Sequence, residues 1–403
     1  MSELDIRSDF SILRNNPSLA FFDSASTTLV PDIVADSVSN FLKNTVISTR
    51  RGAYSLAVQG GNQVESTRMK LAELLDIDSS RISFNNSIAS SITSFCLGFD
   101  WIGNRKKKII ISEGEENSIS VPLMHLAKIL KLEVDFVRVN EFGEIELDSL
   151  YEKIDDSTGI VALSHVMLGT GNPNPVDMVS RMTRDFNAVL ISDLTQSIGF
   201  TKKPLSSFGA DICLFSGNIG FFGPPGVVIQ CIDSELGREI YPGILGGSSV
   251  SDVRLGSFDV ALQPDKFETG ILNVPGIIGL GAGLEYSDFL RKNGFFEHMS
   301  HLRNHLTNRI DETDIVNMYG SHYDTRTIFG LSIGSDNSIN CHDVALFLDE
   351  SNIYVRSGLL CAHPLIRSLN PEGIIQISLH CYNSITDIDK LMDTLILIGE
   401  QLI

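Results

Sequence analysis

The sequence contains few of the residues that would indicate a metal site, a disulfide scaffold or a nucleic-acid surface. Its 403 residues include six cysteines and one tryptophan, and 31 Lys and Arg residues stand against 50 Asp and Glu residues, a formal charge of −19. No two cysteines have the C-x-x-C spacing of a zinc site or a redox dithiol. A strongly acidic chain repels nucleic acid and anionic membranes, because their charge has the same sign. We therefore expect no nucleic-acid partner and no membrane partner.

The chain also lacks a long apolar segment. No window reaches the ~18 uninterrupted apolar residues that a membrane span needs. The N-terminal sequence MSELDIRSDFSILRNN is charged where a secretory signal would be apolar. With 43% hydrophobic and 20% charged residues the composition is that of a globular protein. We expect a cytoplasmic protein with reduced thiols.

Short apolar runs alternate with amphipathic segments in the first part of the chain. The runs rich in β-branched residues are 108–112 (KIIIS), 159–164 (GIVALS), 188–192 (AVLIS), 212–216 (ICLFS) and 226–230 (GVVIQ). Helical periodicity lies between several of them, as at 120–131 and 175–187. Strands that alternate with helices of this length predict an α/β fold with a mostly parallel, doubly wound sheet.

The pattern changes near residue 270. A glycine-rich helical segment at 275–286 (PGIIGLGAGLEY) precedes long helical stretches and short strands near 328–333 and 353–356. This change predicts a smaller α+β C-terminal domain. We expect an N-terminal segment over residues 1–20, a large domain over 21–265, and a small domain over 266–403 that carries Cys361.

A candidate site follows two of the predicted strands. The segment 191–196 (ISDLTQ) places an acid, Asp193, at the end of one strand, and 215–226 (FSGNIGFFGPPG) leaves the next. Ligands of open α/β sheets lie outside the carboxyl ends of the strands, so this position suits a ligand-binding acid. For Asp193 taken alone, the alternative is a solvent-facing helix cap.

Seven segments, in order, resemble the cysteine desulfurase branch of the class V aminotransferases, which are pyridoxal-phosphate (PLP) enzymes of fold type I. They are 21–28 (FFDSASTT), 48–56 (STRRGAYSL), 164–175 (SHVMLGTGNPNP), 191–196, 215–226, 267–286 (FETGILNVPGIIGLGAGLEY) and 355–364 (VRSGLLCAHP). The resemblance runs from Ala20 to the C-terminus. It implies the fold-type I architecture and a homodimer, because the sites of this fold lie at a dimer interface.

Part of the family's site is matched residue by residue. Asp193 corresponds to the acid that pairs with the pyridine nitrogen of PLP, and Gln196 to the amide at its phenolic oxygen. Ser216 corresponds to a hydroxyl that binds the PLP phosphate. Cys361 corresponds to the nucleophile of the mobile R-x-G-H-H-C-A-x-P loop, and Arg356 to the arginine of that loop, which we assign to substrate binding.

Other family positions carry residues that cannot perform the same chemistry. After the 212–216 strand, Asn218 replaces a histidine and Ile219 replaces the lysine that forms the Schiff base. Isoleucine has no amine, so the covalent anchor and the general base are both missing. Lys202 and Lys203 are the nearest lysines before the strand, and we predict that they lie in a solvated turn.

Further differences affect the cofactor ring, the phosphate and the substrate. Glu116 stands where a histidine stacks on the PLP ring, and its carboxylate would repel an anionic cofactor. Leu168 stands in place of an asparagine that contacts the ring oxygen. Ser87 begins the phosphate turn in place of a glycine, where backbone amides at a helix start can still bind an anion. Gln376 replaces the arginine that holds the substrate carboxylate.

Each matched residue also has a purely structural interpretation. Asp193 can persist as a buried, hydrogen-bonded acid, and Ser216 as a small residue that a tight turn requires. Cys361 can be an inert thiol, because Leu359 and Leu360 replace the two histidines that precede the family nucleophile. The nine histidines offer no close metal spacing, so we expect no metal site.

Three functions remain open. In the preferred one, the PLP chemistry is lost and the protein binds or regulates an active desulfurase or a sulfur-acceptor protein. In the second, it holds PLP or another small anion noncovalently, or transfers sulfur through Cys361 without a Schiff base. In the third, it is a PLP-dependent aminotransferase or desulfurase whose lysine lies elsewhere in the chain.

Overall fold

The structure, a computed structural model, describes residues 4–46, 52–334 and 339–402. Positions 48–51 of the 48–56 motif lie outside the described residues. The strands are β1 (Ala20–Phe21), β2 (Ile82–Asn85), β3 (Lys108–Ser112), β4 (Glu133–Val137), β5 (Thr158–Ser164), β6 (Val189–Asp193), β7 (Ile212–Ser216), β8 (Val228–Ile232), β9 (Val250–Arg254), β10 (Ser257–Val260), β11 (Val316–Tyr319), β12 (Ile328–Ile333), β13 (Ile353–Tyr354), β14 (Arg356–Gly358) and β15 (Ile374–Ser378).

The helices lie between and after these strands. They are α1 (Ser11–Asn15), α2 (Asp32–Asn44), α3 (Ser55–Leu75), α4 (Ile88–Gly98), α5 (Asn117–Leu130), α6 (Leu147–Lys153), α7 (Val176–Asp185), α8 (Ser234–Glu239), α9 (Val274–Lys292), α10 (Phe295–Asp311), α11 (Cys341–Glu350), α12 (His363–Leu369) and α13 (Ile385–Leu402). Short 3-10 helices occur at Arg7–Asp9, Ser79–Arg81, Ile198–Phe200, Leu205–Phe208 and Asp265–Phe267. Within these described residues, no helix is long and apolar enough to cross a membrane.

The large sheet has the strand order β2-β8-β7-β6-β5-β3-β4. Neighbouring strands from β7 to β4 are parallel, while β8 runs antiparallel to both β7 and β2. Helical crossovers α5 and α7 connect parallel strands, as the alternation of apolar runs with helical segments predicts. The predicted α/β class with a mostly parallel sheet is confirmed.

Both faces of the large sheet are covered by apolar side chains. On β3, Ile110 belongs to one buried cluster, whereas Ile109 and Ile111 belong to another. Successive side chains of a strand point to opposite faces, so an uninterrupted apolar run means that both faces are buried. Side chains of α3, α7 and α9 complete the first cluster, and those of α4 and α5 complete the second.

The C-terminal part forms a second, antiparallel sheet in the order β11-β12-β15-β14. Its core extends to the start of the chain, because Phe10 and Phe22 pack in the same buried cluster as Leu331, Ile377 and the helices α10 and α13. The first residues of α9 pack instead with the large sheet. The domain limits of 20 and 265 stay a prediction.

Candidate functional site

Three neighbouring strands of the large sheet carry polar side chains at their carboxyl ends. Ser164 ends β5 and is in register with Asp193, which ends β6. Ser216 ends β7, the next strand along. A small cavity lies at these strand ends. It is lined by Gly114, Glu116, Ser164, Val166, Leu168, Asp193, Thr195 and Gln196. Its volume of about 10 Å³ is close to the space that a single water molecule needs.

Asp193 is almost completely buried at this cavity, with 5% of its surface exposed. Its Oδ1 accepts a hydrogen bond from the Thr195 backbone N–H at 2.7 Å, and its Oδ2 has no hydrogen-bond partner among the described residues. The pKa of Asp193 is raised to about 7, mainly by burial and to a smaller extent by the nearby Glu116 carboxyl. The acid is therefore neutral over much of the pH range in which an ordinary aspartate is charged.

Two more carboxyl groups lie beside Asp193. Glu115 is fully buried and accepts hydrogen bonds from the backbone N–H of Ser164 at 2.8 Å and from its hydroxyl at 2.5 Å. The pKa of Glu115 is raised to about 8, mainly by burial and to a smaller extent by the charges of Asp193 and Glu116. Burial also raises the pKa of Glu116, although Arg356 opposes that shift. The sequence-predicted site thus contains one more acid, Glu115, than the matched positions indicate.

The turn after β7 contains no amine. Ile219 is buried, with 3% of its surface exposed. The turn is fixed from outside by Thr28, whose N–H donates to the Asn218 carbonyl at 3.1 Å and whose hydroxyl accepts from the Gly220 N–H at 3.1 Å. Ser216 donates its backbone N–H to the Thr195 hydroxyl at 3.1 Å. No lysine lines the cavity among the described residues.

The two lysines that precede this strand lie elsewhere. Both Lys202 and Lys203 are exposed. The Lys202 ammonium lies 4.5 Å from the centre of the Phe296 ring. Lys203 lines a different cavity, which is described below. Neither lysine lines the cavity beside Asp193.

The two amides of the candidate site are engaged with backbone groups. Gln196 lines the cavity, but its Nε2 donates to the Ala25 carbonyl at 3.0 Å. Gln376 is completely buried on β15, where its Oε1 accepts from the Gly169 N–H at 3.0 Å and its Nε2 has no partner among the described residues. Gln376 is in register with Arg356 on β14, so the two predicted substrate-binding residues are neighbours.

Ser87 is the capping residue of α4. Its hydroxyl accepts a hydrogen bond from the Ser90 N–H at 3.1 Å, which satisfies one of the free amides at the start of the helix. Ser87 is exposed and does not line the cavity beside Asp193. The structure therefore brings Asp193, Gln196 and Glu116 together but leaves Ser87 outside that group.

Cys361 lies on a tight loop next to α5. Leu360 and Cys361 have φ angles of 53° and 61°, a left-handed conformation that few residues other than glycine adopt. The Cys361 carbonyl accepts from the Asn117 N–H at 2.7 Å, and its Sγ accepts from Arg356 Nη2 at 3.1 Å. Cys361 is half-buried, whereas the other five cysteines are buried. The guanidinium contact to the thiol is a feature that the sequence pattern does not indicate.

The arginine beside the thiol belongs to a larger polar contact. Arg356 Nη1 donates to the Ser26 hydroxyl at 3.0 Å. The Arg356 charge also acts on Glu116 and Asp23. It favours a lower pKa for both acids, whereas burial, the larger effect, raises their pKa. No group of three or more potential metal ligands occurs in the described residues. The arrangement is a thiol, a guanidinium and buried carboxyl groups without a lysine.

Comparisons with known proteins place this chain in a family. The family model described as "Aminotransferase class-V" matches residues 20–391. A probable cysteine desulfurase of Methanothermobacter thermautotrophicus is 29% identical over 395 residues, which cover 97% of this chain and 96% of that protein. The apo cysteine desulfurase of Thermococcus onnurineus NA1 superposes with a TM-score of 0.91 at 27% identity, covering 100% of this chain and 99% of the other.

A third comparison concerns the cofactor. A C-DES mutant, solved with glycine covalently linked to its PLP cofactor, has a TM-score of 0.82 at 19% identity and covers 96% of this chain and 98% of the other. At that identity the likeness concerns the fold alone. By its sequence match and its architecture, this cysteine-desulfurase-like chain belongs to the class V aminotransferase family.

Proposed function

We propose that this protein is a cysteine-desulfurase-like member of its family that no longer performs Schiff-base chemistry and acts by binding another protein. Its partner would be an active desulfurase or a sulfur-acceptor protein. The observation that carries the proposal is the buried Ile219 in the turn after β7, at the position of the family lysine. A hydrocarbon side chain can neither anchor the cofactor nor move a proton at a substrate carbon.

The residues around Asp193 do not fit PLP. The free Oδ2 of Asp193 is suited to a protonated ring nitrogen, and this is the one feature that favours the cofactor. Against it, the cavity has a volume of about 10 Å³, far less than a substituted pyridine ring needs. Glu116 lines the cavity at the position of the ring-stacking histidine, and Gln196 is held by a backbone carbonyl. PLP binding would require several of these buried side chains to move.

The visible absorbance of the purified protein tests the proposal. After saturation with PLP and removal of the free cofactor, we expect no absorption band from a Schiff base. The apo form of an active desulfurase, treated in the same way, is the control for cofactor uptake. A stable yellow colour in near-stoichiometric amount would contradict the proposal, because it would require a lysine within reach of the site.

The contact between Arg356 and Cys361 favours a second candidate, sulfur transfer without PLP. In this reaction the Cys361 thiolate attacks the outer sulfur of a persulfide R–S–SH, a new S–S bond forms between Cys361 and that sulfur, the S–S bond of the persulfide breaks, and R–S⁻ leaves. The guanidinium 3.1 Å from Sγ would stabilise the anionic product. Arg356 is already placed for this role by its bond to Ser26.

Onward transfer distinguishes the two candidates. The protein is loaded with a low-molecular-weight persulfide and then mixed with an acceptor thiol, with Cys361→Ser as the control. We expect loading of the half-buried Cys361 but little onward transfer, because Leu360 is buried and the Asn117 N–H holds the Cys361 carbonyl. Rapid transfer that Cys361→Ser abolishes would favour the sulfur-transfer candidate and contradict the binding role.

A further inference from the structure

A second cavity, of about 410 Å³, lies beside the first at the end of β5. Ser164 lines the small cavity near Asp193, whereas the next residue, His165, lines this larger one. The volume is within the range of sites that hold small organic molecules. None of the residues matched to the family's cofactor site lines it.

Two polar groups in the wall of this cavity lack partners. Asn174 is 96% buried, and its Nδ2 donates to the Ser164 carbonyl at 2.7 Å, which fixes the orientation of the amide. Its Oδ1 accepts no hydrogen bond among the described residues, and the same is true of Nδ1 of His165. A buried polar atom without a partner costs roughly 1–3 kcal/mol. Both atoms are buried from solvent, so the groups that a ligand in the cavity contacts directly are the exposed ones.

The cavity carries charges of both signs. The Lys203 ammonium forms no hydrogen bond or ion pair within the described ranges. Asp177 contacts Arg181 at 3.1 Å on the surface, where both side chains are exposed. Hydrogen bonds from Ser321 and Tyr323 hold the pKa of Glu144 below its usual value, so this acid stays charged. One cation and two carboxylates therefore surround the space.

His165 adds a neutral donor or acceptor. The pKa of His165 is lowered to about 4, mainly by burial and to a smaller extent by the nearby Lys203 charge. Its ring also packs edge-on against Phe208, with ring centres 4.7 Å apart. Phe208, Ile145 and Leu147 give the cavity an apolar part beside the polar one.

We propose that this cavity binds a free α-amino acid with an apolar side chain. The ligand carboxylate would pair with Lys203, and its ammonium group would pair with the Asp177 carboxylate. A simple anion would meet two carboxylates, and a simple cation would leave Lys203 unpaired, whereas a zwitterion satisfies both. The site is independent of the residues around Ile219, so the inference stands whether or not the chain binds PLP.

Calorimetric titration with L-leucine and L-phenylalanine tests the proposal. N-acetyl-L-leucine, which lacks the ammonium group, and L-leucinamide, which lacks the carboxylate, are the matched ligands. We expect at least one of the two amino acids to bind, and each modified ligand to bind about tenfold more weakly or worse, because each loses one charged contact. Absence of binding by both amino acids, or equal binding of the modified ligands, would overturn the proposal.

Two surface variants locate the binding. Lys203→Ala and Asp177→Asn alter exposed side chains and leave the core intact, and each should weaken binding about tenfold. Lys202→Ala is the matched control. Lys202 is next to Lys203 in the sequence, but its ammonium lies over Phe296, outside the cavity. It should bind the amino acid as the wild type does. Unchanged affinity of Lys203→Ala, or an equal loss in Lys202→Ala, would show that the ligand is not held as proposed.

Discussion

Two buried carboxyl groups, Glu115 and Asp193, and the half-buried Glu116 lie close together at the end of β5 and β6, and desolvation raises the pKa of each. In a folded protein such groups keep their protons, because charging them without an adjacent cation is costly. Arg356 acts on Glu116 alone among the three. The cluster is therefore largely uncharged in mildly acidic solution and comes under increasing repulsion as the pH rises.

This cluster makes stability depend on pH. The pKa of Asp193 rises from 3.8 to about 7 on folding, so its contribution is fully present below about pH 4 and is lost as the pH rises toward 7. Asparagine cannot ionise. We therefore expect Asp193→Asn to gain stability relative to the wild type between about pH 4 and pH 7, by at most about 1.4 kcal/mol per pH unit.

Urea unfolding at several pH values measures this effect. The free energy of unfolding of the variant minus that of the wild type should increase with pH. Asp36→Asn, at an exposed position on α2, is the control for replacing an aspartate at the surface. A pH-independent difference for Asp193→Asn would mean that Asp193 is charged in the folded protein throughout this range.

Replacing one residue should not restore desulfurase activity. We expect Ile219→Lys alone to release no more sulfide from cysteine than the wild type. Because Gln376 is neutral, the binding free energy of a substrate carboxylate is weaker by roughly 2–5 kcal/mol than with an arginine at this position. This corresponds to a loss of affinity of about thirtyfold to several thousandfold. Glu116 also places a carboxyl group in the wall of the cavity beside Asp193. Robust turnover by the single variant would show that the rest of the site is intact. The triple variant Ile219→Lys, Gln376→Arg, Glu116→His tests whether these three positions are sufficient.

At the scale of the secondary-structure elements, Thr28 stabilises the turn after β7 by hydrogen bonds. Its hydroxyl accepts the Gly220 N–H, and Gly220 needs a left-handed conformation, with φ of 74°. We expect Thr28→Val to lower the free energy of unfolding by about 1–3 kcal/mol, because the buried N–H loses its partner while the side-chain volume is kept. Thr28→Ser retains the hydroxyl and should lose less. Equal losses in thermal or urea unfolding would show that the methyl group, and not the hydrogen bond, is responsible.

How far the elements could be predicted depends on their burial. The strands β3, β5, β6, β7 and β8 are apolar runs buried on both faces, and the sequence predicts all five within two residues. The edge strand β4 is not predicted, because Glu133 is exposed and only Val137 of its five residues is buried. Propensity and periodicity carry little information at such an edge.

The sequence predicts which residues form the candidate site, but it does not predict which contacts they make. Asp193 and Gln196 can be placed at the end of β6 from the strand pattern and the family motif. The partnership of Glu115 with Ser164 and the small volume of the cavity depend on contacts between distant parts of the chain, and the bond from Arg356 to Cys361 depends on the left-handed backbone of the loop between them. No local pattern encodes such contacts.

For the molecule as a whole, we propose a homodimer. The β9–β10 hairpin pairs only with itself among the described residues, and it exposes Val253, Leu255 and Phe258. Leu262 and Ile271, which follow it, are also highly exposed, at 86% and 92%. Adjacent exposed apolar residues of this kind mark contact surfaces between proteins. A second copy of the chain is the occupant that the fold family implies.

Sedimentation equilibrium measures the association. We expect the wild type to be a dimer, and the double variant Val253→Glu, Leu255→Glu to dissociate at least tenfold more readily, because charges are placed in an apolar contact. Ile102→Glu is a control at a residue that is equally exposed but distant in sequence. A monomeric wild type, or an unchanged dimer in the double variant, would contradict a dimer that uses this hairpin.

The absence of a Schiff-base lysine is the central claim, and trapping with borohydride tests it most directly. The protein is incubated with PLP, reduced, digested and analysed by mass spectrometry. We predict no phosphopyridoxyl group on any residue from 193 to 226, because Ile219 has no amine and neither Lys202 nor Lys203 lines the cavity beside Asp193. A stoichiometric phosphopyridoxyl-lysine in that region would contradict the account and would identify the protein as a PLP-dependent enzyme with a relocated lysine.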